Sequence, residues 1–123
     1  MPILPASDLA AAVSFYTGKL GFDLAGQWQN DDGTPNFAIV QLGDVTLGLS
    51  ASERVGSGDE WAAYVYVEDI DAFTDQILGR GVKVLRGPED SFYHCREMEI
   101  ADPHGNRLCV AQDLIPGADG PGL

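Results

Sequence analysis

The chain has 123 residues, 45% of them hydrophobic, which fits one compact domain or two small modules sharing a core and excludes a disordered polymer. Its 19 acidic against 7 basic residues give a formal net charge of -12, which repels phosphate backbones and anionic lipid, so neither nucleic acid nor a membrane is expected as a partner, while a cationic small molecule would be attracted. No apolar run approaches the roughly 20 residues of a membrane span, and Cys95 and Cys109 lack metal-knuckle spacing, so the expectation is a soluble cytoplasmic protein with reduced thiols.

Pro2-Ile3-Leu4-Pro5 reads as a short extended arm whose prolines limit ladder pairing. Ser7 or Asp8 is a good N-cap, and Leu9, Val13, Tyr16 and Leu20 recur near helical spacing, which predicts a helix from Leu9 to Lys19 ended by Gly18 and Gly21. Phe22 to Gln29 reads as a strand and Asn30 to Asn36 as a loop. A hairpin, Phe37 to Ala51, then turns at Gly43-Asp44. Ser52 to Glu60 is polar and reads as a linker. Trp61 to Val67 is aromatic and β-branched, a strand. Glu68-Asp69 caps a second helix through Ile70, Phe73, Ile77 and Leu78, ending at Gly79-Arg80-Gly81. Val82 to Leu85 is a strand, Arg86 to Ser91 a loop, and Tyr93 to Gln112 a hairpin turning through Asp102-Pro103-His104-Gly105-Asn106. The Gly- and Pro-rich stretch from Pro116 is expected to be a loose tail.

The order is β-α-β-β-β twice. Asp8-Leu9 matches Asp69-Ile70, Gly21 matches Gly81, and the turn at Gly43 matches that at Gly105. An α+β fold of two tandem βαβββ modules follows, spanning about 1–52 and 60–113 within one domain of residues 1–115, followed by a tail at 116–123. Each module offers a curved sheet with a helix on one face. Two such sheets side by side make a cup, and a second chain can close it.

Strand alternation defines what faces that cup. With a two-residue turn at Gly43-Asp44, Leu42 opposes Val45, Ile39 opposes Gly48 and Phe37 opposes Ser50. Val45, Leu47 and Leu49 then meet the helix, while Phe37, Ile39, Gln41, Thr46, Gly48 and Ser50 face the cup. In the second module Ala63, Val65 and Val67 meet the helix and Ala62, Tyr64 and Tyr66 face the cup. A five-residue loop at Asp102 to Asn106 makes Glu99 oppose Cys109 and puts Glu97 and Arg107 on their face; a four-residue loop would reverse this. Trp61, Tyr93 and His94 complete the candidate lining. His94 either lines the mouth or is an ordinary surface imidazole, and His104 is expected to face solvent. Glu97 pairs with Arg96 or Arg107, or serves a ligand. Trp28 rims the groove or packs against a partner or the helix.

The segments DLAAAVSFYTGKLGF, GDVTLGLS and REMEIADPHGN resemble the glyoxalase / bleomycin-resistance / extradiol-dioxygenase fold, the vicinal oxygen chelate superfamily. PILPASD and the Arg96-Glu97 pair look most like its bleomycin-resistance proteins, small acidic homodimers that sequester a cationic glycopeptide antibiotic. Enzymes of the superfamily hold a divalent ion on the cupped face. Carried over by position, the resemblance puts those ligands at Met1, Gly48, Ala62 and Cys109, none a hard-metal ligand. Nor is there a nucleophile elbow at Ser50 or Ser91, or a phosphate-cradling loop at Gly43, Gly48 or Gly105.

What the resemblance implies is a cytoplasmic homodimer with no catalytic residue, metal or cofactor, sequestering a bleomycin-like antibiotic in grooves between its chains. Ligand contacts are expected from Phe37, Ile39, Gly48, Ser50, Trp61, Tyr64, Tyr66, Tyr93, His94, Glu97, Glu99, Arg107 and Cys109. Only Met1 precedes Pro2, so an arm exchanged between chains would be short. The alternative is a glyoxalase-fold lyase, isomerase or thiol transferase, either metal-dependent or using Glu97 or Glu99 as a general base.

Overall fold

The computed structural model describes residues 1–54, 56–58 and 60–114. The expectation of a loose tail at 116–123 lies outside them. The observed order is β1 (Ile3–Ala6), α1 (Leu9–Ser14), a π-helical turn (Phe15–Lys19), β2 (Asp23–Gln29), β3 (Pro35–Leu42), β4 (Val45–Ala51), β5 (Trp61–Tyr66), α2 (Ile70–Gly79), β6 (Val84–Asp90), β7 (Cys95–Ala101) and β8 (Arg107–Asp113). Two four-stranded mixed sheets result, ordered β1-β4-β3-β2 and β5-β8-β7-β6. In each, the first strand runs parallel to the last and the others are antiparallel. This is the expected α+β pair of tandem modules. Among the described residues, no helix is long and apolar enough to cross a membrane.

The repeat is visible at atomic detail. Asp8 Oδ1 accepts from Ala11 N and Asp69 Oδ1 from Ala72 N, each at 3.1 Å, so the same side-chain cap starts both helices. Gly21 and Gly81 leave them with φ of +83° and +85°, a left-handed conformation that glycine adopts without steric cost. Lys19 Nζ donates to Arg80 O at 2.6 Å while Arg80 Nη1 donates to Lys19 O at 3.1 Å. Two residues one repeat apart thus exchange bonds, as an approximate two-fold axis between the modules requires. Helix Leu9 to Lys19 is realised in two parts. Its second half widens into a π turn, with Leu20 N bonding Phe15 O, where Thr17 Oγ1 donates to Val13 O at 2.7 Å and competes with the regular ladder.

Both hairpin registers match expectation: Phe37 opposes Ser50 and Ile39 opposes Gly48, while Glu99 opposes Cys109 and Ile100 opposes Leu108. Consequently Ala38, Val40, Leu47 and Leu49 in one module and Val65, Met98, Ile100, Leu108 and Val110 in the other are buried against the helices in one core. One strand reading needs correction. Arg86 to Ser91, expected as a loop, continues β6 to Asp90: Arg86 pairs with Glu99 and Glu89 with Glu97 across irregularities that absorb Gly87-Pro88. Gly87 has φ +80° and its missing Cβ would lie 2.4 Å from Glu97 O, so the bulge keeps strand pairing where the dipeptide alone reads as a break. In β5, a bulge between Trp61 and Ala63 lets the Trp61 indole reach Glu99, while Ala62, partly buried, touches the edge of the core.

The second turn also joins the modules. Tyr16, fully buried in module 1, donates to Asp102 Oδ2 at 2.8 Å, and Asn106 Nδ2 donates to both Asp102 Oδ2 and Pro5 O. His104 is half-buried and its Nε2 accepts from Asp8 N at 3.2 Å, rather than facing solvent as expected, because the turn folds onto the start of α1.

Candidate functional site

The sheet faces turned away from the helices differ sharply between modules. On module 1, Phe37, Ile39 and Ser50 are half-buried and Gly48 is covered. A Cβ on Gly48 would lie 2.9 Å from Phe37 Cζ, 3.2 Å from Ile3 Cγ1 and 3.3 Å from Met1 Cε. The Trp28 ring folds over Gly26, 2.9 Å from where its Cβ would be, and stands 5.8 Å from the Phe37 ring at 56°. Met1, Ile3 and Trp28 are 60%, 58% and 50% exposed, so this face is an open apolar shelf floored by two glycines.

On module 2 the same face is polar and knitted together. Glu97 and Glu99, from β7, are 4% and 7% exposed. Glu97 Oε2 accepts from Tyr93 OH at 2.6 Å, from Tyr64 OH at 3.1 Å and from Cys109 Sγ at 3.5 Å, while its Oε1 accepts from Arg86 Nη2 at 3.2 Å. Glu99 Oε1 accepts from Trp61 Nε1 at 3.1 Å and Arg107 Nη1 at 3.4 Å, and its Oε2 from Arg86 Nε. Arg86 also pairs with Glu89. Above this floor the rings form a row, Trp61 to Tyr64 at 5.4 Å and Tyr64 to Tyr66 at 5.0 Å. A pocket of about 340 Å³ opens beside them, lined by Pro2, Trp61, Ala62, Ala63, Tyr64 and Tyr66. Larger depressions of about 540 and 580 Å³ lie at the seam near Gly43, Val67 and Glu68, away from this network except where Tyr66 borders them.

Of the expected lining, the structure therefore joins Trp61, Tyr64, Tyr93, Glu97, Glu99, Arg107 and Cys109 in one network, with Tyr66 beside it, and sets Phe37, Ile39, Gly48 and Ser50 on the shelf. His94 stands apart, exposed in a turn with φ +64°. Arg86 and Glu89 were hidden by the loop reading of their segment; continuing the strand pairing past Gly87-Pro88 is the signal that finds them. Arg96, one expected partner of Glu97, points to the other face and pairs with Asp71 and Asp90, each at 3.1 Å.

Burial and neighbouring carboxylates disfavour ionisation of the phenols and thiols of this floor. Burial, then the Glu97 carboxylate, pushes the Tyr93 phenol up to about 12, and burial with bonds to Cys95 and Glu97 raises Tyr64 further. Burial followed by Glu97 raises the Cys109 thiol, and burial with Asp113 raises Cys95. Burial works against ionisation of Glu99, but bonds from Arg86 and Trp61 hold it below the usual carboxylate range. Thiols and phenols stay neutral, and the carboxylate oxygens are already engaged.

A divalent ion of the superfamily's kind does not fit the residues at the corresponding positions. Met1 and Gly48 meet under the Phe37 ring, Ala62 sits in a bulge, and the Cys109 thiol lies beside a carboxylate held by Arg86. Among the described residues, no group of three or more His, Cys, Asp or Glu is placed to hold a metal.

Residues 2–110 match the Glyoxalase/Bleomycin resistance protein/Dioxygenase superfamily. Similar solved structures include TnmS3, an antibiotic binding protein from Streptomyces sp. CB03234, 26% identical over 90% of this chain and 91% of that one with a TM-score of 0.74. A glyoxalase/bleomycin resistance protein from the same strain is 26% identical over 89% and 96%, TM-score 0.73. A glyoxalase/bleomycin resistance protein/dioxygenase from Nocardioides is 26% identical over 96% and 84%, TM-score 0.69. No curated protein matches the chain. With two βαβββ modules and a family match across nearly its whole length, the chain belongs to the glyoxalase/bleomycin resistance protein/dioxygenase superfamily.

Proposed function

We propose that the chain is a binding protein that sequesters an aromatic antibiotic stoichiometrically, with a bleomycin-type glycopeptide as the first guest to test. The observation that carries this reading is the row of Trp61, Tyr64 and Tyr66 rings beside a pocket of about 340 Å³, over a floor whose acids are already paired. Stacking faces supply area and orientation for a flat guest. Neutral phenols and thiols leave it unchanged. The net charge of -12 attracts a cation at range, although the buried carboxylates are committed to Arg86 and the ring donors. The similarity to TnmS3, an antibiotic binding protein, supports the same class of guest.

The reading includes a homodimer in which a second chain covers the open shelf of Met1, Ile3 and Trp28 and completes each groove. It also includes a reducing, cytoplasmic setting, which the free thiols of Cys95 and Cys109 suit. Calorimetric titration with metal-free bleomycin and, separately, the copper complex tests it. Saturable binding at one guest per groove is expected, and no heat with either form would reject bleomycin as the guest.

A further inference from the structure

We propose that Arg86 is the positioning residue of the cup: its guanidinium, forked across Glu97 and Glu99, fixes the two carboxylates that in turn anchor Trp61, Tyr64 and Tyr93, so that the ring wall has one arrangement before a flat guest arrives. The inference rests on the small-molecule reading above and names how the wall is built.

Each link is a contact. Arg86 Nε bonds Glu99 Oε2 and Arg86 Nη2 bonds Glu97 Oε1 at 3.2 Å. The other oxygen of each carboxylate faces the rings: Glu99 Oε1 takes the Trp61 indole N–H, and Glu97 Oε2 takes the phenols of Tyr64 and Tyr93. A carboxylate held on one oxygen by a rigid guanidinium fork presents the other in a fixed direction. Three rings from β5 and the β6–β7 turn thus take their orientation from one side chain on β6. Lysine cannot replace it fully, because an ammonium is a point charge without two parallel donors. Arg86 occupies this place only because β6 continues past Leu85 to set it opposite Glu99.

Removing the guanidinium also unbalances the floor. The groups around it are Glu89 on β6, Glu97 and Glu99 on β7, Arg107 and Cys109 on β8, Tyr64 on β5 and Tyr93 in the turn. Glu99 would then keep Arg107 and the Trp61 indole as partners, and Glu97 the Tyr64 and Tyr93 phenols and the Cys109 thiol. Burial would oppose ionisation of Glu99 with only Trp61 and Arg107 left to offset it, so the ring anchors would respond to pH where the native protein does not.

The test compares Arg86→Met and Arg86→Lys with the native residue in the full chain. The ligand-free readout is near-UV circular dichroism and emission of Trp61, isolated by Trp28→Phe, from pH 5 to 8. The second readout is affinity for metal-free bleomycin by calorimetry. For Arg86→Met, an altered and newly pH-dependent Trp61 signal is expected, with affinity at least roughly 10-fold weaker, since freed rings must be ordered again on binding. Arg86→Lys is expected to fold and to lie between the two, and it carries the test if the methionine variant does not fold. A Trp61 signal and affinity in both variants equal to the native protein's would overturn the proposal, as would full rescue by lysine. If the native protein binds no bleomycin but the Trp61 signal of the variants changes as described, the guest reading fails and the positioning role stands.

Discussion

Replacing Tyr16 by Phe removes one hydroxyl from the place where the first module's helix meets the second module's turn. Tyr16 is fully buried and its hydroxyl donates to Asp102 Oδ2 at 2.8 Å. A hydrogen bond to a charged group contributes about 1.5–3 kcal/mol. Asp102 keeps three other donors, the backbone N–H of His104 and Asn106 and the Asn106 amide, so its carboxylate is not left bare and the loss falls at the lower end, about 2 kcal/mol. For a chain of this size that lowers Tm by roughly 6–10 °C. The pH dependence carries a second signature. Burial, then the charge of Asp102, raises the Tyr16 phenol above its ordinary 10.0, so the folded state favours the protonated form. Its contribution is fully present below pH 10 and is lost as pH rises through the raised folded value. Urea unfolding should therefore place the variant below the native protein at pH 7, with the gap narrowing above pH 10. A change below about 0.5 kcal/mol at pH 7, or parallel curves into the alkaline range, would refute the role assigned to this bond.

Gly87→Ala must adopt φ +80° with a Cβ 2.4 Å from Glu97 O, so a loss of about 3 kcal/mol or more is expected by urea denaturation; a loss under 1 kcal/mol would mean that β6 is not bulged as described. Cys95 and Cys109 are fully buried with raised thiol pKa values, so neither should react with a disulfide reagent at pH 8 in the native protein, while both react in urea; rapid native labelling would contradict the packing of the floor. Glu99 titrates below its ordinary 4.5, so it contributes stability above that value that is lost as pH falls through the lowered folded value. Unfolding midpoints of the native protein should fall more steeply below pH 4.5 than those of Glu99→Gln, and equal slopes would show that Arg86 and Trp61 do not favour its ionised form.

The parts of the fold that the sequence made legible are those governed by short-range rules. Asp8 and Asp69 announce both helix starts, and the turn lengths at Gly43-Asp44 and Asp102 to Asn106 set both hairpin registers and with them the faces of Gly48, Glu97, Glu99 and Cys109. What escaped depends on contacts between distant strands. Gly87-Pro88 reads locally as a break, yet β7 holds the strand through it and so brings Arg86 to Glu97 and Glu99. The bulge between Trp61 and Ala63, which lets the Trp61 indole reach Glu99, leaves no mark in a run of strand-forming residues. His104 looks like a turn residue bound for solvent because its partner, Asp8 N, lies 96 positions earlier. Most members of the Glu97–Glu99 network were thus visible, while Arg86 at its centre was not.

Sequestration without conversion is tested most directly by what comes back out of the groove. After a long incubation of the purified protein with excess-free, metal-free bleomycin at equimolar concentration, denaturation and mass spectrometry should recover the antibiotic quantitatively at its original mass, with or without added divalent metal. Recovery of a chemically altered antibiotic, accumulating with time and dependent on folded protein, would contradict the account and identify the chain as an enzyme.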